Sequence, residues 1–263
     1  MTTPNSSPHE SVHVRIEQVS LTYPGLEARP PVQALGSVSL AIKPGEFVCI
    51  IGPSGCGKST LLSLIAGYLP PSTGRVLVNG RPISAPGPDR VMVFQQPTLF
   101  PWRTATENVA FGLTLRQARG RVPDVAQAVE HHLKLVGLTG FGDHYPFELS
   151  GGMRQRVELA RALAVNPEIL LMDEPFGALD ALTRLNLQRE MGRIWEETSK
   201  TVLFVTHDIG EAVLLGDRVI VMSHRPATVK EEIVIDLPRP RYRDDPDVVA
   251  ISGRIASLLD VTF

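Results

Sequence analysis

The first part of the chain contains stretches in which hydrophobic and polar residues alternate. Residues 11–23 alternate in this way, and a second alternating segment turns at Pro44-Gly45 into the apolar run 47–51. Alternation predicts strands with one buried face, whereas a short β-branched apolar run predicts a strand buried on both faces. Residues 75–83 predict a further hairpin with an Asn-Gly turn. We therefore expect an antiparallel β region near the N-terminus.

Beyond that region, apolar runs alternate with segments of helical periodicity. The predicted strands are 91–96, 168–172, 201–206 and 218–222, and the clearest predicted helices are 181–199 and 208–215. This alternation predicts an α/β fold with a mostly parallel sheet covered on both faces. We expect residues 1–10 to be a disordered lead-in and residues 11–263 to form a single domain. Within it we place a helical subdomain at about 97–150 and a C-terminal tail at about 236–263.

Composition narrows the class of protein. The chain has 263 residues, 43% of them hydrophobic, and a formal net charge of −2, which gives no indication of a nucleic-acid partner. Two cysteines do not make a disulfide framework, so we expect reduced thiols. Without a signal sequence or an apolar run of about 18 residues, we expect a soluble protein whose membrane role, if any, depends on a partner.

Residues 52–59, GPSGCGKS, match the phosphate-binding pattern G-x-x-x-x-G-K-[ST] between a predicted strand and a predicted helix. Backbone N–H groups of such a loop surround phosphates, Lys58 neutralises their charge, and Ser59 is placed to bind Mg²⁺. The predicted nucleotide-binding residues here are Gly52, Pro53, Ser54, Gly55, Cys56, Gly57, Lys58, Ser59 and Thr60.

An apolar strand that ends in two acids, ILLMDE, is the expected companion of that loop. Asp173 would hold Mg²⁺ through water, and Glu174 would accept a proton from the attacking water. Adjacent carboxylates at the C-terminal end of such a strand face the ligand crevice of an open α/β sheet. Together the two motifs predict a P-loop NTPase core of the RecA-like kind.

Residues 149–163, LSGGMRQRVELARAL, resemble the signature of ABC transporter ATPases and precede ILLMDE, as in that family. The resemblance covers about residues 13–223 and implies a head-to-tail dimer of cassettes. In it, Ser150, Gly151, Gly152 and Met153 would contact ATP held by the partner. Met153 stands where many members have Gln, and Glu148 also departs from the common pattern.

Other residues match further motifs of the family, and these motifs occur in the same order along the chain as in the family. The resemblance implies that Tyr23 stacks on adenine, that Gln95 senses Mg²⁺ and the γ-phosphate, and that His207 contacts the γ-phosphate. It also places Asp180, within residues 177–180, at the dimer interface. A core role remains open for Tyr23, and Gln95 is preferred to Gln96 only because it follows Phe94.

The resemblance also implies the partners. Residues 101–113 and 219–241 resemble the nitrate/sulfonate/taurine import subfamily. The resemblance implies ATP and Mg²⁺, a membrane permease and, indirectly, an extracytoplasmic solute-binding protein. The subunit would lie peripherally at the cytoplasmic face of the inner membrane. Phe100 and Trp102 are candidate permease contacts, or they fill the subdomain core.

The alternatives are an ABC exporter ATPase and a soluble non-transport ABC protein. The transported solute, and whether the two cassettes are identical, remain open. We set aside His131-His132 as a metal site. We also expect the run 238–243, PRPRYR, to be a solvated turn.

Overall fold

The computed structural model describes residues 12–25, 30–117, 124–177 and 179–260. The predicted lead-in 1–10 lies outside the described residues. So do residues 26–29 of a loop, residues 118–123 of the predicted helical subdomain, and Ala178 within the predicted interface segment.

The strands and helices of the described residues are numbered in chain order. They are β1 (Val14–Tyr23), β2 (Val32–Ile42), β3 (Phe47–Ile51), α1 (Lys58–Ala66), β4 (Thr73–Val78), β5 (Arg81–Pro82), β6 (Arg90–Val93), α2 (Ala105–Gln117), α3 (Val125–Leu135), α4 (Gly151–Ala164), β7 (Ile169–Asp173), α5 (Ala181–Thr198), β8 (Thr201–Thr206), α6 (Ile209–Leu215), β9 (Arg218–Met222), β10 (Val229–Val234) and α7 (Pro246–Leu258).

The strands form two sheets. An antiparallel sheet has the order β2-β1-β4-β5, and its hairpin turns at Asn79 and Gly80, which have φ of 49° and 74°. The second sheet has the order β10-β9-β3-β8-β7-β6, in which β9 to β6 are parallel and β10 pairs antiparallel with β9. The predicted antiparallel region and mostly parallel sheet are thus confirmed.

The central strands are buried on both faces, as their apolar runs predict. Cys49 and Phe204 point to the side covered by α4, α5 and α6, whereas Val48 and Leu203 point to the side covered by α1 and the antiparallel sheet. Alternate residues of one strand therefore enter two separate cores. Both cysteines are free and buried.

In the region of the predicted helical subdomain, α2 and α3 pack against each other and against α4. A 3₁₀ turn at Pro146–Glu148 leads into α4, and Glu148 Oε2 accepts a 2.7 Å hydrogen bond from the Tyr145 backbone N–H. This contact gives the unusual glutamate before the signature a structural role. No helix among the described residues has the length and apolar character that a membrane span requires.

The expectation that residues 238–243 form a solvated turn was wrong for two arginines. Arg241 is 9% exposed, and its guanidinium donates to the backbone oxygens of Val213 and Gly216 at 2.7 and 2.6 Å. Arg239 pairs with Asp217 at 2.7 Å and lies over the ring of Trp195. The acceptors Val213, Gly216 and Asp217 come from a distant part of the chain, so the local charge pattern did not reveal them.

Candidate active site

The phosphate loop joins β3 to α1 and depends on two glycines with positive φ. Gly55 has φ of 68° and Gly57 has φ of 127°. A Cβ on Gly57 would lie 2.9 Å from Leu35 Cδ2 and 3.1 Å from the Ala34 oxygen. Both the positive φ and these close contacts therefore disfavour any side chain at this position. Gly57 caps α1 without any side-chain hydrogen bond. The first N–H groups of α1 are therefore available to an anion.

Lys58 lies inside this loop. Its side chain is buried, and Nζ donates to the Gly52 and Pro53 oxygens at 2.8 and 3.1 Å. No carboxylate of the described residues pairs with it, although a buried ammonium is costly without a counter-charge. A phosphate group in the loop would supply that charge, so the residues fit the predicted ligand.

Ser59 and Asp173 meet across the site, as predicted for a shared metal ion. Ser59 Oγ donates to Asp173 Oδ1 at 2.9 Å. Burial raises the pKa of Asp173, and the charge of Glu174 adds to that effect, whereas the bond from Ser59 and the charge of Lys58 oppose it. Hydroxyl and carboxylate oxygens are ligands that suit Mg²⁺.

Glu174 and His207 follow β7 and β8, which are neighbouring parallel strands. His207 donates from Nδ1 to Glu174 Oε2 at 3.0 Å. Glu174 has φ of 45°, and its N–H donates to the Val205 oxygen at 2.9 Å. A non-glycine residue with such a φ is held there by its surroundings. The backbone thus aims the carboxylate at the histidine.

Gln95 follows β6, the next strand of the sheet, and lies beside Gly177 at the same edge. A Cβ on Gly177 would lie 3.3 Å from Gln95 Nε2 and 3.7 Å from Glu174 Oε2, so both groups surround Gly177. The structure gives no contact of Gln95 with Ser59 or Asp173. Its predicted role as a metal ligand therefore stays a prediction.

Tyr23 lies at the end of β1, beside the phosphate loop. Its side chain is half exposed, and its hydroxyl shares a 3.2 Å hydrogen bond with Thr60 Oγ1. The phenol ring is therefore partly open to solvent beside α1, and its stacking on adenine stays a prediction. Cys56 is buried, so the loop cysteine is shielded from solvent.

The signature residues begin α4, away from the phosphate loop in the fold. Ser150 Oγ accepts a 3.3 Å hydrogen bond from the Met153 N–H, and Asp180 caps α5 in the same way through Thr183. The two helix starts touch, because a Cβ on Gly152 would lie 2.5 Å from Thr183 Cγ2. Met153 is half-buried against the core. The roles of these residues toward a partner's nucleotide stay predictions.

A buried network that the motifs did not reveal supports the turn at His207. Thr206 donates from Oγ1 to Glu211 Oε2 at 2.5 Å and accepts from the Asp208 N–H at 3.0 Å. Gln188 Nε2 donates to Glu211 Oε1 at 2.9 Å. Burial raises the pKa of Glu211. In the sequence, only the string VTHD pointed to this region. Nothing near Glu211 or Gln188 in sequence indicated that they belong to the network.

Arg225 is a second residue that the sequence reasoning missed. Its Nη2 lies 2.9 Å from the position that a Cβ on Gly55 would take, so an exposed guanidinium stands over the phosphate loop. The sequence signal that could have indicated this position is a basic residue shortly after the C-terminal end of β9, a predicted strand of the sheet.

Known proteins share this sequence and this fold. The model of the ABC transporter family matches residues 35–177. The nitrate import ATP-binding protein NrtD of Synechococcus elongatus is 49% identical over 227 residues, or 86% of this chain and 82% of that protein. The bicarbonate transport ATP-binding protein CmpD of Synechocystis sp. is 45% identical over 245 residues, or 92% of this chain and 86% of that protein.

Among solved structures, one similar to this chain is a dimeric ATP-binding cassette in a post-hydrolysis state bound to ADP and Pi. It is 35% identical, with a TM-score of 0.73, and the match covers 86% of this chain and all of the cassette. The family match, the two relatives and this likeness agree with the geometry of the phosphate loop and the two acids. The chain belongs to the ABC transporter family, as an ATP-binding subunit.

Proposed function

We propose that the chain is the ATP-hydrolysing subunit of an ABC importer and energises solute uptake through a separate membrane permease. The observation that supports this best is the strand order β3-β8-β7-β6. At one edge of the sheet these four strands present the phosphate loop, His207, the pair Asp173 and Glu174, and Gln95. In an open α/β sheet, ligands bind outside the carboxyl ends of the strands.

In the proposed reaction, the phosphate loop holds the β- and γ-phosphates, and Lys58 moves from the Gly52 and Pro53 oxygens to the phosphate charge. Glu174 accepts a proton from the attacking water, and His207 positions that carboxylate and contacts the γ-phosphate. Charge spreads over the phosphate oxygens in such a transfer, so positioning and electrostatics supply most of the catalysis.

Mg²⁺ is part of the proposal. Ser59 and Asp173 would hold it, with Gln95 as a further predicted ligand. When bound, the ion would neutralise developing phosphate charge. Ser59 can keep its hydrogen bond to Asp173, because a hydroxyl that donates its proton still has lone pairs for a metal ion.

We further propose a head-to-tail dimer in which each subunit offers Ser150, Gly151 and Gly152 to the ATP of its partner. The start of α4 provides backbone donors and a positive dipole end for that phosphate. Asp180, at the adjoining start of α5, would lie at the interface. The dimeric assembly of the similar ATP-binding cassette supports this arrangement.

An exposed aromatic surface beside the start of α2 suits a permease helix. Trp102 is 70% exposed and Phe147 is 76% exposed, with Phe147 stacked on Tyr145. The backbone bond from the Ala105 N–H to the His144 oxygen, 2.9 Å, joins the two segments that carry them. Phe100, by contrast, is half-buried and packs edge-on against Phe111. The surface is therefore better represented by Trp102 than by Phe100.

The direction and class of transport rest on the named relatives, which import nitrate and transport bicarbonate. We propose import for this chain, at the cytoplasmic face of the membrane and with an extracytoplasmic solute-binding protein. The solute stays open, because the proposed subunit does not touch it.

The test is affinity capture of the tagged full chain from detergent-solubilised native membranes, followed by mass spectrometry and an ATPase assay. Recovery of a multi-span permease with a solute-binding protein is the expected result. A permease without a binding protein would favour export. Ribosomal or DNA-bound partners without a permease would contradict the transport function.

A further inference from the structure

A cleft of about 490 Å³ lies between α5, the end of α6 and residues 239–244. It is separate from the catalytic edge, since none of its lining residues belongs to the phosphate loop or the two acids. Its volume falls in the range of small-molecule sites, and its walls include Leu185, Gly192, Leu215 and Tyr242. Tyr242 is 52% exposed and offers an open ring face.

The wall formed by residues 239–244 is fixed in place. Arg241 bonds the Val213 and Gly216 oxygens, and Arg239 bonds the Leu215 oxygen at 2.6 Å as well as Asp217. The guanidinium of Arg239 also lies 4.4 Å from the centre of the Trp195 ring. The cleft is thus preformed rather than a gap beside a loose loop.

Gln188 brings an unsatisfied acceptor to this cleft. Its side chain is 3% exposed, and its Oε1 has no hydrogen-bond partner among the described residues. Its Nε2 donates a hydrogen bond to the carboxylate of Glu211. Because a carboxylate oxygen accepts, this contact defines which end of the amide is the nitrogen and which is the oxygen. Buried amide oxygens are normally bonded. A donor that would satisfy this one is therefore missing from the described chain.

One cationic group in the lining of the cleft is left without a partner among the described residues. Glu196 and Asp244 face five arginines of the lining, namely Arg189, Arg193, Arg239, Arg241 and Arg243. Four of these are engaged with carboxylates or backbone oxygens. Arg189 is exposed and has no hydrogen-bond or ion-pair partner in the part of the chain that the structure describes.

We propose that this cleft is an effector site for a small organic anion that has an apolar body and an N–H or O–H donor. The anionic group pairs with Arg189, the apolar body packs between Leu185 and Tyr242, and the donor bonds Gln188 Oε1. Such a ligand supplies a counter-charge for Arg189 through its anionic group and a donor for the buried acceptor through its N–H or O–H group.

The site is connected to the catalytic histidine by two short paths. Gln188 bonds Glu211, which bonds Thr206, the residue directly before His207. On the other wall, Arg243 pairs with Asp208 at 3.3 Å, directly after His207. Both paths support the arrangement in which His207 bonds Glu174. A ligand that fits this arrangement shifts the population toward the state in which His207 positions Glu174, and so speeds hydrolysis.

The binding test uses the full chain and the fluorescent probe 1-anilinonaphthalene-8-sulfonate, which combines a ring system, an N–H donor and a sulfonate. We expect saturable binding to the native protein. Gly192→Leu places a larger side chain in the cleft, and leucine has a higher helix propensity than glycine, so α5 should keep its structure. The variant should raise the Kd for the probe at least about tenfold. Arg189→Gln should raise it about fivefold, whereas the exposed control Arg15→Gln should leave it unchanged. Equal affinity of the wild type and Gly192→Leu would overturn the site.

The coupling test measures ATP hydrolysis at saturating probe. We expect the rate of the wild type to rise at least about twofold and that of Gly192→Leu to stay constant. A change of rate that is equal in both proteins would place the effect outside the cleft. An unchanged wild-type rate, with the probe bound in the cleft, would overturn the connection to His207. Neither binding result depends on the transport function proposed above.

Discussion

His207 donates a hydrogen bond of 3.0 Å from Nδ1 to Glu174 Oε2, although 33 residues separate them in sequence. The pairing of β7 with β8 makes this contact, because Asp173 and Val205 are partners in parallel register. The strained backbone of Glu174 completes it, since its N–H is tied to the Val205 oxygen. The predicted base and its orienting histidine therefore form one unit.

The first prediction concerns Glu174. Glu174→Gln should bind ATP normally but lower kcat about 100-fold or more, because the amide cannot accept the proton of water. The variant should also accumulate as an ATP-bound dimer, which size-exclusion chromatography with ATP would show. Hydrolysis at the wild-type rate would rule out the assignment.

The second prediction concerns Lys58. Lys58→Ala removes the buried ammonium from the phosphate loop and should raise the Kd for ATP at least about tenfold, since a charge-assisted hydrogen bond is lost. Titration with a fluorescent ATP analogue measures this. Lys43→Ala serves as the control, because Lys43 lies at the turn before β3 and not in the loop. Unchanged affinity in Lys58→Ala would contradict the phosphate role.

The third prediction concerns the exposed aromatic surface. Trp102→Ala should leave the ATPase rate of the isolated subunit within about twofold of the wild type but reduce permease recovery from membranes, because interface aromatics carry much of the binding energy. The control is Val234→Ala, an equally exposed apolar residue on β10. If both variants recover the permease equally, the docking surface lies elsewhere.

The fourth prediction concerns Glu211 and pH. Burial raises its pKa in the folded protein above the ordinary value of 4.5, so the folded state holds this proton more tightly than the unfolded state. Its contribution to stability is therefore present at low pH and is lost as pH rises through the folded pKa. Glu211→Gln has no such titration and keeps a similar shape.

Urea unfolding of both proteins at several pH values from about 5 to about 8 measures the effect. The wild type should lose unfolding free energy relative to Glu211→Gln as pH rises. Glu196→Gln, an exposed change on α5, serves as the control for loss of a surface charge. A constant difference between the wild type and Glu211→Gln would contradict the raised pKa.

The fifth prediction concerns Arg241. Burial lowers its pKa to about 10, and its guanidinium bonds the oxygens of Val213, Gly216, Ile235 and Leu237. Arg241→Met keeps the apolar stem but leaves those oxygens without their donor. We expect a loss of about 2–4 kcal/mol in unfolding free energy by urea titration. Arg15→Met, on the exposed side of β1, should cost about 0.5 kcal/mol or less.

The sequence by itself determined the elements and the chemistry that local strings carry. The phosphate loop, the acids after β7 and the apolar strands 201–206 and 218–222 are each complete within a few residues. Their glycine positions, charges and β-branched runs indicate a single local structure without information from the rest of the chain. The existence of these strands, an antiparallel region beside a mostly parallel sheet, and the nucleotide motifs were therefore predictable.

Only the tertiary structure decided which of these pieces meet. Periodicity predicts that 201–206 is a buried strand, but not that it lies between β3 and β7, which brings His207 to Glu174. Likewise, Arg241 looks solvated in a proline-rich run until its acceptors, 25 and 28 residues upstream, fold against it. Strand order and burial depend on contacts between distant residues, and local pattern carries no information about those contacts.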